Sequence, residues 1–185
     1  MGRSIIMTGY AALEATDAII GYGRETLEKR YSASFINEAG LFCKNTDITE
    51  HIKAADAVPG TEVFPLGDTG VFGGLWEFAQ EKGAGFTVTM DDIPIKQHTV
   101  EFCDLMDTDL YAAPSKGSML AAAEDPQGFI YECESRGINA VLIGHFTGSS
   151  KRIFITPDGG ERYAERPDNT EKIKLLKLKY ARVEE

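Results

Sequence analysis

Short apolar runs alternate with longer amphipathic segments along the whole chain. Residues 4–8 (SIIMT) are rich in β-branched side chains, residues 86–90 (FTVTM) alternate in polarity, and residues 140–146 (AVLIGHF) form the most apolar run. Such runs predict strands, and the last is expected near the centre of a sheet because it is apolar throughout. Apolar residues at helical spacing between the runs predict helices, so the pattern indicates an α/β protein.

Three further segments determine how these elements are joined. Residues 61–74 (TEVFPLGDTGVFGG) are rich in glycine and predict a loop that leads into a helix at Leu75. Residues 152–156 (RIFIT) predict a strand that pairs with residues 140–146 through a hairpin loop. The chain is strongly charged after Pro167, so we expect one domain over residues 1–168 and a charged tail over residues 169–185 with helical spacing.

Composition restricts the classes of partner. The hydrophobic fraction of 43% and the charged fraction of 26% are typical of a folded globular protein. A formal net charge of -10 disfavours nucleic acid and anionic membrane surfaces. No stretch approaches the roughly 20 apolar residues that span a bilayer, and no leader is recognisable, so we expect a cytoplasmic protein.

Two segments carry side chains and backbone suited to an anion such as phosphate. The first comprises Asp68, Thr69, Gly70, Gly73 and Gly74. Unpaired N–H groups at a helix N-terminus favour negative charge, and glycine lets a ligand approach the backbone. The alternative is that these glycines only permit a tight turn and close packing of the helix.

The second segment offers two hydroxyl groups and one cation before a predicted strand. It comprises Ser115, Lys116, Gly117 and Ser118. Such groups can hold a phosphate or a carboxylate, and we expect this segment to border one cleft with the Gly70 loop. The alternative is an ordinary surface turn, since the spacing is not that of a P-loop.

The spacing of the cysteines and histidines does not predict a metal site. Three cysteines without a CxxC pair predict buried structural thiols rather than disulfides or zinc ligands. The three histidines fall in different predicted elements without metal-ligand spacing, so no metal is expected. These residues are Cys43, Cys103, Cys133, His51, His98 and His145.

Several phrases occur in the order found in a known superfamily. They are SIIMTGYAALEATDAII, GVFGGLWEFAQEKGAGFTV followed by IPIKQHTVEFCDLM, SKGSMLAAAED, and GINAVLIGHFT with the later GGERY. With these phrases the chain resembles the C-terminal domain of the aminoimidazole ribonucleotide (AIR) synthase superfamily, in particular its hydrogenase maturation factor-like and AIR synthase-related members. The resemblance implies a PurM C-terminal domain-like α/β (α+β) fold, with a mixed β-sheet flanked by α-helices.

The resemblance also implies where the family's ATP chemistry resides. Full-length relatives hold ATP and Mg²⁺ with acidic residues of an N-terminal domain, for which residues 1–3 leave no room. Phe64 and Pro65 occupy a position that is acidic in relatives. The hydrogenase branch ends in a reactive cysteine, whereas residues 181–185 read ARVEE. We therefore expect no cofactor on this chain alone, with ATP and Mg²⁺ bound only in the presence of an N-terminal partner domain.

Two functions stay open on this basis. The first is a non-catalytic or partner-dependent binding or assembly module. The second is half of an enzyme for an ATP-dependent maturation-like or synthetase reaction, completed by a separately encoded N-terminal domain. In either case we expect a homo-oligomer or a complex with that domain, and a small phosphorylated or anionic ligand.

Overall fold

A computed structural model of the chain describes residues 2–181. Four helices follow the first strand, three strands in succession precede the last helix, and a short 3-10 helix at Met90–Asp92 follows the third strand. In chain order they are β1 (Ser4–Thr8), α1 (Leu13–Tyr22), α2 (Arg24–Glu28), α3 (Ala33–Cys43), α4 (Thr49–Asp56), β2 (Glu62–Pro65), α5 (Gly70–Lys82), β3 (Gly85–Thr89), α6 (Gln97–Leu105), β4 (Met119–Ala123), α7 (Pro126–Ser135), β5 (Ala140–Thr147), β6 (Arg152–Ile155), β7 (Glu161–Tyr163) and α8 (Thr170–Ala181).

The strands form one mixed sheet in the order β2-β4-β1-β5-β3-β6-β7. Every neighbouring pair is antiparallel except β3 and β6, which run parallel. The prediction of an α/β fold with a mixed sheet and flanking helices is confirmed. So is the central position of β5, which lies between β1 and β3 and buries Ile143 and Phe146 in the core, with a register shift against β1 at Ile143.

The predicted hairpin between residues 140–146 and 152–156 is wrong. Strand β3 lies between β5 and β6, and Thr87 of β3 is opposite Ile153 of β6 in the parallel pair. The connection after β5 passes the start of β3, where Phe86 donates its N–H to the carbonyl of Lys151 at 2.9 Å. Gly85 allows this passage because a Cβ there would overlap the same carbonyl.

The glycine-rich segment is more ordered than its composition predicts. Residues 62–65 form the edge strand β2, which pairs with β4, and Pro65 is accommodated because an edge strand has one side without a neighbour. Helix α5 then begins at Gly70 rather than at Leu75. Two of the predicted site glycines, Gly73 and Gly74, therefore lie inside the helix.

Helices cover both faces of one half of the sheet. Helix α5 packs on the face that presents Ile5, Phe86 and Phe154, whereas α4 and α7 pack on the opposite face over β2, β1 and the start of β5. The remaining long helices, α1, α3, α6 and α8, form a separate cluster in which Leu175 of α8 is buried. No helix within residues 2–181 is long and apolar enough to cross a membrane.

The other half of the sheet has a helix on one face only. On its second face, side chains from four adjacent strands form a row in the register of the sheet, because alternate residues of a strand point to the same side. Among the described residues no helix covers this row, and Leu142 is 41% exposed and Tyr163 is 58% exposed. We call this surface the open face; its members are His145 of β5, Thr87 of β3, Ile153 of β6 and Tyr163 of β7, which are paired in register, and Leu142 of β5, which lies beyond the register shift in that strand.

Candidate functional site

The two predicted anion-binding segments lie side by side. Ser115 donates its N–H to the carbonyl of Gly67 at 3.0 Å, and Leu66 donates its N–H to the carbonyl of Ser118 at 3.0 Å. Gly70 lies between them with a φ of +65°, and a Cβ at this position would stand 2.5 Å from the carbonyl oxygen of Tyr111. The chain therefore needs glycine at residue 70 for both its backbone angle and its close contact with the following loop.

The N-terminus of α5 uses several of its own N–H groups. Gly70 and Phe72 donate to backbone carbonyls of the surrounding loops at 3.2 and 3.0 Å, and Gly73 makes the first hydrogen bond of the helix itself, to the carbonyl of Thr69 at 3.1 Å. A Cβ at Gly73 would overlap the side chain of Thr69, and the corresponding atom at Gly74 would overlap Leu66. These contacts give the glycines a packing role, and three donors of the first turn are engaged within the protein.

The two serine hydroxyls hold the connection between β1 and α1. Ser115 accepts a hydrogen bond from the N–H of Ala12 at 2.8 Å and donates to the carbonyl of Ala113 at 2.8 Å. Ser118 accepts from the N–H of Tyr10 at 3.0 Å and donates to the carbonyl of the same residue at 2.7 Å. Both side chains are buried, so each hydroxyl compensates backbone groups that have lost water.

A chain of alternating charges lies over the two segments. Lys172 of α8 contacts Asp68 at 2.5 Å, and Lys116 contacts Glu14 at 2.9 Å and Asp68 at 4.0 Å. The hydrogen bond to Glu14 raises the pKa of Lys116 above its ordinary value, and the charge of the same carboxylate acts in the same direction. An anion at this place would compete with Glu14 and Asp68 for the two ammonium groups.

A groove of about 240 Å³ opens beside the start of α5. Thr69, Phe72 and Gly73 form one wall, and Arg162 and Arg166 belong to the other. The guanidinium of Arg162 lies 5.5 Å from the ring centre of Phe72. Within residues 2–181 neither arginine has a carboxylate oxygen within 4.0 Å, although Asp109, Glu165, Asp168 and Glu171 also line the groove, so an anionic ligand would meet both cations and carboxylates there.

The other predicted site residues line different cavities. Asp68 and Gly74 border a hollow of about 300 Å³ together with Phe64 and Pro65. Gly117 lines a third cavity, of about 360 Å³, at the carboxyl end of β1. The structure thus brings the two segments into contact through their backbones, but their members line three separate cavities.

Phe64 and Pro65 have structural roles in this chain. The ring of Phe64 stacks on Phe78 at 5.3 Å and packs against the main core, and Pro65 ends the edge strand β2. Residues 64 and 65 therefore supply no carboxylate to the hollow that they border. The neighbouring Asp68 pairs with Lys172 instead.

The three histidines lie apart from one another. His51 bonds to the hydroxyl of Thr8 at 2.8 Å, His98 stacks on Phe35 at 4.0 Å, and His145 belongs to the open face. Among the described side chains no group of three His, Cys, Asp or Glu residues is placed to hold a metal ion.

The cysteines are buried thiols without a disulfide, as expected. Burial raises the pKa of Cys103 to about 12, with smaller contributions from Glu171 and Asp109. Burial likewise raises the pKa of Cys43 and Cys133 to about 11. Thiolate chemistry near neutral pH is therefore suppressed at all three positions.

Sequence reasoning missed the two arginines of the groove and the whole open face. Arg162 belongs to the phrase GGERY, but only the pairing of β7 with β6 places it over Phe72 beside α5. The open face depends on the parallel pair of β3 and β6, which the hairpin prediction excluded. Alternation in residues 86–90 was the one signal of a half-covered strand.

Sequence comparisons give no relative for this chain. No family model matches it, and no curated protein matches it at a significant level.

Solved structures do match it. A crystal structure of HypE from E. coli superposes with a TM-score of 0.75 at 19% identity, over 94% of this chain and 52% of that protein. Thiamine-monophosphate kinase from Stenotrophomonas maltophilia K279a superposes with a TM-score of 0.65 at 16% identity, over 88% and 52%. A HypE–HypF complex also matches, with a TM-score of 0.65 at 16% identity, over 90% and 53%.

These structural neighbours are members of the PurM or AIR synthase family, and the chain spans about half the length of each. At sequence identities below 20%, a structural match shows a shared fold and not a shared activity. The predicted resemblance is confirmed at this level: the chain has the PurM-like α/β fold that forms about half of HypE and of thiamine-monophosphate kinase.

Proposed function

We propose that this domain is a partner-dependent binding or assembly module, and that its open face binds a companion domain. The open face carries the proposal. Leu142 and Tyr163 are exposed, Ile153 lies between them in the sheet, and no described helix covers them. An apolar surface of this kind on a sheet marks a site of association, because water contacts at apolar side chains are unfavourable.

The companion that we propose is a domain with the fold of the other half of the structural neighbours. Its support is the shared length: the neighbours that cover 88 to 94% of this chain are each about twice as long. One neighbour was solved as a HypE–HypF complex and another as HypE with ATP. On this proposal the companion holds any ATP and Mg²⁺. Residues 64 and 65 of this chain are phenylalanine and proline and offer no carboxylate to a metal ion.

Calorimetry with Mg²⁺ and ATP tests the nucleotide part of the proposal. We expect no saturable heat when the purified chain is titrated alone, because three of the first-turn N–H groups of α5 are engaged and the described part of the chain has no metal-binding group. Saturable binding by the chain alone at micromolar nucleotide would contradict the proposal.

Site-specific photocrosslinking tests the interface. A benzophenone amino acid at Tyr163, in the full-length protein in its native host, is expected to crosslink to one polypeptide. The same group at Leu41 of α3 is the matched control, since Leu41 is a single exposed apolar residue, 83% accessible, outside the open face. A crosslinked product with the companion fold supports the proposal. Crosslinks to a second copy of this chain, or equal yields at Leu41, would overturn it.

The second candidate, half of an enzyme, is favoured by the groove beside α5. Two arginines without carboxylate partners lie opposite Thr69 and Gly73, and guanidinium groups suit phosphate geometry. If a phosphorylated substrate binds there, pyrophosphate should bind the chain and R162Q/R166Q should abolish binding. K151Q is the matched control, because Lys151 is an exposed cation outside the groove. Equal binding by the double variant and the control would reject this candidate.

A further inference from the structure

A separate cavity of about 360 Å³ lies where β1 ends and β5 begins. Its volume falls within the range of about 300 to 1,000 Å³ typical of sites for small molecules. Residues from four parts of the chain line it, and it is called the β1 cavity below. The lining residues used here are Tyr10, Phe42, Asn45, His51, Lys96 and Asn139.

One wall of the β1 cavity is apolar and aromatic. Tyr10 and Phe42 are half-buried, and Leu13 between them is buried. The ammonium group of Lys96 lies 4.1 Å from the ring centre of Tyr10 and 5.5 Å from that of Phe42. The cation therefore covers one face of Tyr10, and a planar ligand would meet the ammonium group there and aromatic carbon at Phe42.

Lys96 is the cation in the cavity that has no carboxylate partner. Within residues 2–181 no carboxylate oxygen lies within 4.0 Å of its ammonium group, whereas Arg136 contacts Glu50 at 3.1 Å and Glu132 at 2.7 Å. Asp47 on the rim accepts hydrogen bonds from the N–H and the hydroxyl of Thr49. One positive charge is therefore free for a ligand that carries one negative group.

Neutral polar groups complete the lining. The hydroxyl of Thr8 contacts Nδ1 of His51 at 2.8 Å, which fixes the ring and leaves Nε2 without a partner among the described residues. Burial lowers the pKa of His51, so the imidazole is neutral at physiological pH. Asn139 donates to the carbonyl of Gly9 at 3.2 Å through Nδ2 and keeps its side-chain oxygen for another donor.

We propose that the β1 cavity binds a small planar monoanion, an aromatic carboxylate with a polar substituent. The carboxylate pairs with Lys96, the ring packs against Phe42 beside that cation, and the polar substituent bonds to Nε2 of His51. This site is distinct from the groove beside α5 and from the open face, so the inference stands independently of the proposed companion domain.

The probe is 4-hydroxybenzoate, which carries one carboxylate and one hydroxyl on a planar ring. In nuclear magnetic resonance titrations of the ¹⁵N-labelled protein, we expect saturable shifts at the amides of Gly9, Tyr10, Gly117 and Asn139. The neutral isostere 4-hydroxybenzamide should bind about tenfold or more weakly, because it lacks the charge that pairs with the cation. Inorganic phosphate should give no saturable shifts at these amides.

Two variants test which side chains contact the carboxylate and the hydroxyl group of the probe. K96M keeps the length and apolar stem of the side chain and should weaken 4-hydroxybenzoate about tenfold or more, whereas K151M should leave the affinity unchanged. H51Q should weaken the binding of 4-hydroxybenzoate and leave the binding of benzoate, which lacks the hydroxyl group, nearly unchanged. Absence of saturable shifts in the unmodified protein, equal affinities for the acid and the amide, or unaltered binding by a folded K96M would overturn the proposal.

Discussion

The contact between Gly70 and the loop after α6 makes a quantitative prediction. Gly70 has a φ of +65°, and a Cβ there would lie 2.5 Å from the carbonyl oxygen of Tyr111 and 2.6 Å from that of Ala113. Both atoms belong to backbone, which cannot rotate away as a flexible side chain would. Replacement by alanine must therefore strain the helix start and displace the loop that ends in the Ser115 segment.

Gly83, at the other end of the same helix, is the matched control. Its φ is +60°, but nothing lies within 4 Å of a Cβ at that position. A left-handed backbone costs alanine about 1 to 2 kcal/mol, and the stiffer unfolded chain returns about 0.4 to 1 kcal/mol. We expect G83A to lower the free energy of unfolding by about 0.5 to 1 kcal/mol on these terms.

G70A carries the same backbone strain and the steric overlap in addition. Overpacking costs about 1 to 3 kcal/mol, so G70A should lose about 1.5 to 4 kcal/mol in total. Urea unfolding followed by far-ultraviolet circular dichroism measures both variants, with an unchanged dependence on urea as the check that the same structure unfolds. Equal losses of unfolding free energy in G70A and G83A would refute the reasoning. The overlap with the backbone carbonyls at Gly70 would then have no energetic cost.

Three further predictions follow from buried groups. The buried thiols, with Cys103 as the extreme at a pKa of about 12, should resist a disulfide reagent near neutral pH and react fully only in denaturant, as measured by absorbance. S118A should lower the free energy of unfolding by about 1 to 3 kcal/mol, since Tyr10 loses both hydrogen bonds of that hydroxyl; urea titration measures the loss. Because burial lowers the pKa of His51 in the folded state, despite the opposing charge of Asp47, unfolding should become easier as pH falls below about 6.5, and H51Q should show a smaller pH slope in the same urea assay.

The sequence predicted the elements better than their connections. Periodicity located β1, β3 and β5 because each strand has a distinct apolar pattern over its own residues. The partner of β6 could not be read in this way, since both β5 and β3 offer apolar neighbours and only the packing of Phe154 under α5 distinguishes them. Strand β2 was missed because glycine and proline nearby suggested a loop, whereas its pairing with β4 is a tertiary effect.

The candidate site shows the same limit at the level of single side chains. The sequence predicted that the Gly70 and Ser115 segments border one cleft, whereas their backbones are in contact and their members line separate cavities. The hydrogen bonds of Ser115 and Ser118 to the β1–α1 connection depend on residues about 100 positions earlier in the sequence. Arg162, Arg166 and Lys96 carry no local motif. Among the described residues no carboxylate oxygen lies within 4.0 Å of these cations, although carboxylates line both cavities, and spacing in the sequence does not reveal such distances.

The central pair of the sheet joins distant parts of the chain, with Ser4 of β1 opposite His145 of β5. A nascent chain that has emerged from the ribosome only as far as β4 therefore exposes β1 with β4 on one side and water on the other. Pairing over such long separations is slow, and the intermediate presents an unsatisfied strand edge to other chains. We therefore expect that nascent or truncated chains ending before β5 need chaperones more than the finished domain does.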